Sequence, residues 1–306
     1  MMKDASPTLS HADRRRQVLT SALAPSRRVR ICDVGANPLS VPPYQGLLDD
    51  GVAELYGFEP NPEAFAKLEA AKSDAETYFP HAIGAAGERT LYLHPKSGFS
   101  SLFPLDAERL ARIGKSHLVR ADDIVKHPLT TVPLDELTAL PDIDVLKMDV
   151  QGAEKEVLQG GMDRLASALV VITEVRFYQI YEDEPTFGDI ERLLRDMGFR
   201  LHKFLFTKSV MLPHDYQASV VRKGLTSQLL DGDAVFLRAR DLSAFSNDEL
   251  MHQALTGDAM CDAPDLALSC LSALSERGAV PDTLAHDYIA RFRHHQIAKP
   301  AKGREP

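Results

Sequence analysis

Four acidic residues stand at or near the ends of short, apolar, β-prone runs. They are Asp33 in the run at 29–34, Glu59 at the end of the run at 53–59, Asp149 at the end of that at 144–149, and Glu174 in that at 168–175. Open α/β sheets bind ligands in the crevice outside the carboxyl ends of their strands. Acids at those ends can accept hydrogen bonds from a ligand or take a proton from it. Asp33 leads into Val34-Gly35-Ala36-Asn37, where glycine lets the backbone turn sharply and approach a ligand closely. Glu59 ends the next run, where a carboxylate suits the paired hydroxyls of a ribose.

The first loop has one glycine instead of Gly-x-Gly-x-x-Gly, so the pyrophosphate cradle of a dinucleotide fold is missing. An acid beside a single-glycine loop suits a ligand that carries an amino acid. Asp33 would hold an ammonium directly or through water, while loop amides at Gly35, Ala36 and Asn37 receive the rest. S-adenosylmethionine (SAM) carries both a ribose and an amino acid. An ordinary tight turn capped by Asp33 is the structural alternative.

The elements that must position these residues alternate. After the strand at 29–34 comes one at 53–59, then Asn61 as helix cap with Pro62 at the first helical position. A third strand is expected at 77–83, an added strand at 87–93, and a loop with a helix at 105–113 over the active-site end. The strand at 144–149 precedes a helix stopped by Gly160-Gly161. The near-continuous apolar run 168–175 suits a strand buried on both faces. Thr186 caps a helix with Ile190, Leu193, Leu194 and Met197 on its buried stripe, ended by Gly198. Strands at 199–206 and 233–237 close the domain around a long loop, 207–232. This order predicts an α/β fold with a mainly parallel sheet and helices on both faces. Three divisions follow: a lead-in at 1–28 with a short helix near 14–23, a main domain at 29–240, and a helical extension at 241–306, expected as a hairpin of helices.

Net charge is −9, which argues against a nucleic-acid partner. Three cysteines, Cys32, Cys261 and Cys270, make neither a disulfide framework nor a metal-binding pattern. The N-terminus lacks the apolar region of a signal peptide, and no run is apolar enough to span a bilayer. The expectation is a soluble, cytoplasmic protein.

Leu146-Lys147-Met148-Asp149-Val150-Gln151-Gly152-Ala153-Glu154, followed by Val157-Leu158 and Gly160, resembles the FkbM family of SAM-dependent methyltransferases. Asp33–Asn37 resembles its first motif and Gly57-Phe58-Glu59-Pro60-Asn61-Pro62 its second. His81-Ala82-Ile83-Gly84 and Ser100-Ser101-Leu102 fall where the family has similar short segments. So do Glu174-Val175 through Tyr181-Glu182, Phe187-Gly188-Asp189, and Gln228–Leu230 leading into Asp233–Leu237. The resemblance covers about 29–240. It implies a class I methyltransferase (Rossmann-like) fold, SAM as donor, and O-methylation of a hydroxyl on a sugar, glycan precursor or secondary metabolite. It extends the cofactor set to Asp33, Gly35, Ala36, Asn37, Glu59, Pro60, His81 and Ala82, and gives Ser101, Gln151 and Tyr178 to the acceptor. Two positions depart from the family pattern. Pro38-Leu39 stands where a second glycine is common, and Gln151 where glutamate is common.

Methyl transfer is an in-line displacement from a sulfonium, helped by alignment and by a base that takes the hydroxyl proton. Asp149 is the first candidate base. Glu174 would orient the acceptor or share that role, and His81, His94 and His202 are possible neighbours. The structural alternatives are that Asp149 only orders its loop through backbone amides, and that Glu174 pairs with Arg176 or a lysine. The two acids could be half of a divalent-metal site, but no metal is assigned. Phe177, Tyr178 and Tyr181 would suit a sugar face or an apolar chain, or serve as ordinary packing. Two other functions are carried alongside: a nicotinamide-dependent oxidoreductase, and a non-catalytic scaffold whose helical tail docks a partner. The acceptor's identity and any homo-oligomer are left open.

Overall fold

Val29–Val34 forms β1, buried along its length except at Arg30, in a computed structural model that describes residues 9–37, 41–119, 124–221 and 224–297. In chain order the elements are α1 (His11–Ala22), β1, α2 (Gln45–Asp49), β2 (Ala53–Phe58), α3 (Pro62–Ala71), β3 (Glu76–Phe79), β4 (Ala82–Ile83) and β5 (Gly87–Leu93). Then come α4 (Ala107–Arg112), β6 (Val125–Val132), β7 (Val145–Met148), α5 (Glu154–Gln159), β8 (Val170–Arg176) and α6 (Phe187–Asp196). The last are β9 (Phe199–Val210), β10 (Gln228–Arg238), α7 (Asn247–Ala259), α8 (Pro264–Glu276) and α9 (Thr283–Ile289). The chain divides into two compact units, one of residues 30–40 and 54–239, the other of residues up to 29, 41–53 and from 240 on.

In the first unit a seven-stranded sheet runs β3-β2-β1-β7-β8-β10-β9. The pairs β2/β3, β1/β7 and β7/β8 are parallel. The pairs β8/β10 and β10/β9 are antiparallel. From β1 the chain builds outward to β2 and β3 on one side and resumes at β7 on the other. That reversal opens a crevice at the carboxyl ends of β1 and β7, where such sheets bind ligands. β8 is buried on both faces except at Glu174, as its apolar run requires. Valine, leucine and phenylalanine side chains from β1, β7, β8, α5, α6 and β10 form the main core.

Local chemistry sets several boundaries as expected. Asn61 accepts from the amides of Glu63 and Ala64, with Pro62 opening α3. Thr186 and Asp189 form a capping box on α6. Gly198 ends that helix at φ +82°. Three expectations need correction. The stretch 77–83 is not one strand: β3 stops before Pro80, and β4 joins a separate sheet ordered β4-β6-β5. A proline has no N–H to continue a ladder. Strand β6 overlaps the end of residues 96–130, which were expected to be loop and helix. It is mostly exposed and carries Pro128, so no apolar alternation announced it. The long loop 207–232 is shorter, because β9 reaches Val210 through mostly exposed residues and β10 begins at Gln228.

The second unit is helical. α7 is buried nearly all round from Leu250 to Asp258 and opens on a capping box between Ser246 and Glu249. α8 begins at Pro264 with Asp265 in its first turn. Arg15 of α1 forms a buried ion pair with Asp258 of α7 at 2.7 Å. The helix expected near 14–23 is therefore α1, grouped with helices from the far end of the chain. No helix among the described residues is long and apolar enough to cross a membrane.

Candidate active site

The loops after β1 and β7 meet. Asp149 N donates to Val34 O at 3.0 Å. Gly35 has φ +87°, and a Cβ there would lie 2.3 Å from Asp149 O. Only glycine lets the two loops come this close. The amides of Gly35 and Ala36 both donate to Phe58 O at 3.0 Å, and Asn37 N donates to Gly35 O at 2.8 Å. The first two amides knit the loop to the end of β2 and the third closes the loop on itself, so all three are engaged within the protein rather than open to the ligand's amino-acid end. Pro38-Leu39 lies outside the described residues.

A cavity of about 380 Å³ opens at these strand ends. Six of the expected cofactor residues line it: Gly35, Asn37, Glu59, Pro60, His81 and Ala82. Leu91, Leu93, Leu102, Leu129, Phe58 and Ile83 give it apolar walls, and Lys147, Asp149, Val150 and Gln151 close its β7 side. The size and the mixture of apolar wall with few polar groups suit a small ligand. Glu59 is only 6% exposed and accepts from Asn61 N at 2.8 Å. Burial pushes its carboxyl above the ordinary range, against the Asn61 amide.

Ala36 and Asp33 do not line the cavity. Asp33 is buried and pairs with Lys147 Nζ at 2.9 Å. The parallel register sets Asp33 opposite Lys147, so both side chains leave the sheet on one face. The proposed ammonium-holder instead holds a lysine that lines the cavity. Burial opposes the Lys147 charge, but Asp33's charge and hydrogen bond outweigh it and raise the lysine's pKa. Lys147 stood in the quoted motif without a role, because its partnership depends on strand register.

Asp149 lines the cavity and is exposed. Its Oδ1 accepts from Gln151 Nε2 at 2.7 Å. The same nitrogen donates to Glu174 Oε2 at 2.8 Å. Gln151 Oε1 accepts from Arg176 Nη2 and from the Tyr181 hydroxyl, each at 3.3 Å. Gln151 holds φ +54°, and Ser101 Oγ donates to its carbonyl at 2.5 Å. Ser101 and Glu174 thus touch Gln151 without lining the cavity. Glu174 also pairs with Arg176 at 3.0 Å, the alternative raised from sequence. Burial pushes Glu174 well above the carboxylate range, with Arg176 opposing.

Tyr178 lies elsewhere. Its hydroxyl donates to Arg109 O at 3.0 Å, and its ring packs against a second apolar cluster. Of the histidines, His81 lines the cavity, His94 Nε2 bonds to Leu118 O at 3.1 Å, and His202 is exposed on β9.

Glu154 was the acid without an assigned role. It is buried and accepts from Val150 N at 3.1 Å and Gly152 N at 2.9 Å. Burial pushes its carboxyl up to about 7, against its amide bonds and Arg176. Single oxygens of Asp149, Glu154 and Glu174 lie within 4.8 Å of one another. That spacing would suit a divalent ion, but the Gln151 amide, two backbone amides and Arg176 already engage these carboxylates. The cluster by itself assigns no metal. Asp233, opposite Glu174 in the sheet, is pushed up to about 6 by burial and by the Asp149 charge.

Residues 33–201 match the family described as the methyltransferase FkbM domain. The 2-O-methyltransferase NoeI of Sinorhizobium fredii (strain NBRC 101917 / NGR234) is 32% identical over 142 residues. That match covers 43% of this chain and 57% of the relative, so the chain spans little more than half of the relative's length. Two solved structures are also similar. A methyltransferase FkbM from Methylobacillus flagellatus KT has a TM-score of 0.36 at 11% identity, covering 68% of this chain and 43% of that one. A SAM-dependent methyltransferase from Mesorhizobium loti has a TM-score of 0.36 at 12% identity, covering 72% of this chain and 96% of that one.

Proposed function

This chain belongs to the FkbM family of SAM-dependent methyltransferases, and on that premise we propose that it transfers a methyl group to a hydroxyl of a sugar, glycan precursor or related small molecule. The observation that carries the reading is the cavity between β1, β2 and β7, with Glu59 buried on one side and Asp149 on the other. SAM, when bound, supplies an electrophilic methyl on a sulfonium. Glu59 accepts from the ribose hydroxyls, and the apolar wall of Ile83, Leu91 and Leu129 suits the adenine. Lys147, held by Asp33, offers its ammonium to the amino-acid carboxylate. This replaces the direct role first given to Asp33.

Asp149 would take the proton of the acceptor hydroxyl as that oxygen receives the methyl, with the donor's neutral thioether as the leaving group. Holding acceptor and methyl in line supplies much of the acceleration, and the base adds to it. Glu174 is held inside the Gln151 and Arg176 network, so it supports Asp149 and does not meet the acceptor. The oxidoreductase and scaffold readings are not favoured by the family match. O-methylation accords with the name of the NoeI relative. The net charge of −9 favours a small acceptor over nucleic acid. Three free, buried cysteines fit a cytoplasmic setting.

The test is transfer from methyl-labelled SAM to a panel of methyl glycosides, read by mass spectrometry. Label on a sugar oxygen supports the reading. SAM binding with label on nitrogen or carbon acceptors, and on no hydroxyl, removes the O-methyl claim.

A further inference from the structure

Gln151 lies where two carboxylates and two donors converge. Its oxygen faces the Arg176 guanidinium and the Tyr181 hydroxyl, while its nitrogen faces Asp149 and Glu174. The opposite amide orientation would set oxygen against two carboxylates and NH2 against a cation. The surrounding charges therefore decide which way the amide points.

Arg176 is itself held on several sides. Its Nε donates to Glu184 Oε1 at 2.8 Å, and Glu184 Oε2 accepts from the amides of Ile180 at 2.8 Å and Tyr181 at 3.3 Å. Its Nη1 bonds to Asp231 Oδ2 at 3.0 Å. The guanidinium also lies over the Tyr181 ring. A rigid fork can hold several acceptors at fixed angles, which a lysine cannot.

We propose that Arg176, together with Tyr181, is a positioning residue for methyl transfer: acting through the Gln151 side-chain amide, it fixes Asp149 Oδ1 and so turns Oδ2 toward the acceptor. The proposal rests on the methyltransferase reading and on Asp149 as base. Arg176 and Tyr181 are both buried and line no part of the cavity, so neither touches donor or acceptor.

A misdirected base should lower turnover without weakening the donor. The groups around this network are Glu154 on α5, Glu174 on β8, Glu184 and Tyr181 after β8, Asp231 and Asp233 on β10, Lys208 on β9 and Lys147 on β7.

The test uses the full chain with Tyr181→Phe and Arg176→Lys. Tyr181→Phe removes one donor to Gln151 and leaves every ion pair in place. Side-chain amide signals of 15N-labelled Gln151 are followed across pH with SAM present, beside transfer to methyl glycosides. We expect the two Gln151 amide protons to lose protection in both variants. We expect kcat to fall roughly 10- to 100-fold, with KM for SAM within about twofold. Unmoved Gln151 signals, or an unchanged kcat, in Tyr181→Phe overturn the proposal, even if Arg176→Lys fails to fold. A wild type that neither binds SAM nor transfers methyl overturns the methyltransferase reading instead. If wild type binds SAM but methylates no glycoside, the Gln151 signals decide.

Discussion

Asp149 and Glu59 occupy opposite sides of one cavity, and their substitutions should separate chemistry from binding. Asp149→Asn removes the base but keeps an oxygen for Gln151. Turnover should fall about 10²- to 10⁴-fold, while calorimetry finds SAM affinity within about threefold. Unchanged turnover would move the base elsewhere. Glu59→Gln loses the charge that strengthens two ribose hydrogen bonds, each about 1.5–3 kcal/mol. SAM affinity should fall at least about tenfold, with kcat at saturation little changed. Both acids were legible in the sequence, because each ends an apolar run and stands in a motif. The Asp33–Lys147 pair was not, since it depends on which residue of β7 lies beside β1. Tyr178 was misplaced for a similar reason: sequence proximity to Glu174 does not say that its ring turns toward Arg109.

At the scale of elements, the β1 and β7 loops must touch. Gly35→Ala would add strain at φ +87° and a Cβ 2.3 Å from Asp149 O. A cost of about 1–3 kcal/mol should appear as a lower urea midpoint, with SAM binding weakened beyond what stability explains. The turn into α5 carries a pH signature. Burial raises the Glu154 carboxyl from an ordinary 4.5 to about 7. The folded state then binds the proton more tightly than the unfolded chain. The associated stability is full below about 4.5 and is lost as pH rises through about 7. Glu154→Gln should flatten the fall in unfolding free energy across that window, measured by urea titration at several pH values. An unchanged slope would assign the effect to Asp233 or elsewhere. The alternating strands and capped helices were readable from period and caps. β6 and the outer part of β9 were not, because exposed strands with polar residues carry no apolar alternation; nor was the start of β10, where the buried residues 230–232 include Asp231 and Gly232.

At the scale of the molecule, each compact unit has its own buried polar anchor. In the helical unit it is Arg15 with Asp258, joined by the Tyr288 hydroxyl. Arg15→Ala would leave Asp258 buried without its cation, a loss of about 3–5 kcal/mol. The helical signal in circular dichroism should melt earlier. An unchanged melt would mean that the pair contributes little. The sequence showed helices at both ends of the chain, but their grouping in one unit depends on contacts between residues more than two hundred apart.

The account turns on the cavity between β1, β2 and β7 holding SAM. Isothermal calorimetry of the full chain with SAM and with its demethylated product tests that directly. The predicted result is one-to-one binding of both, weakened in Glu59→Gln and preserved in Asp149→Asn. Binding of neither molecule to the folded wild-type chain would contradict it.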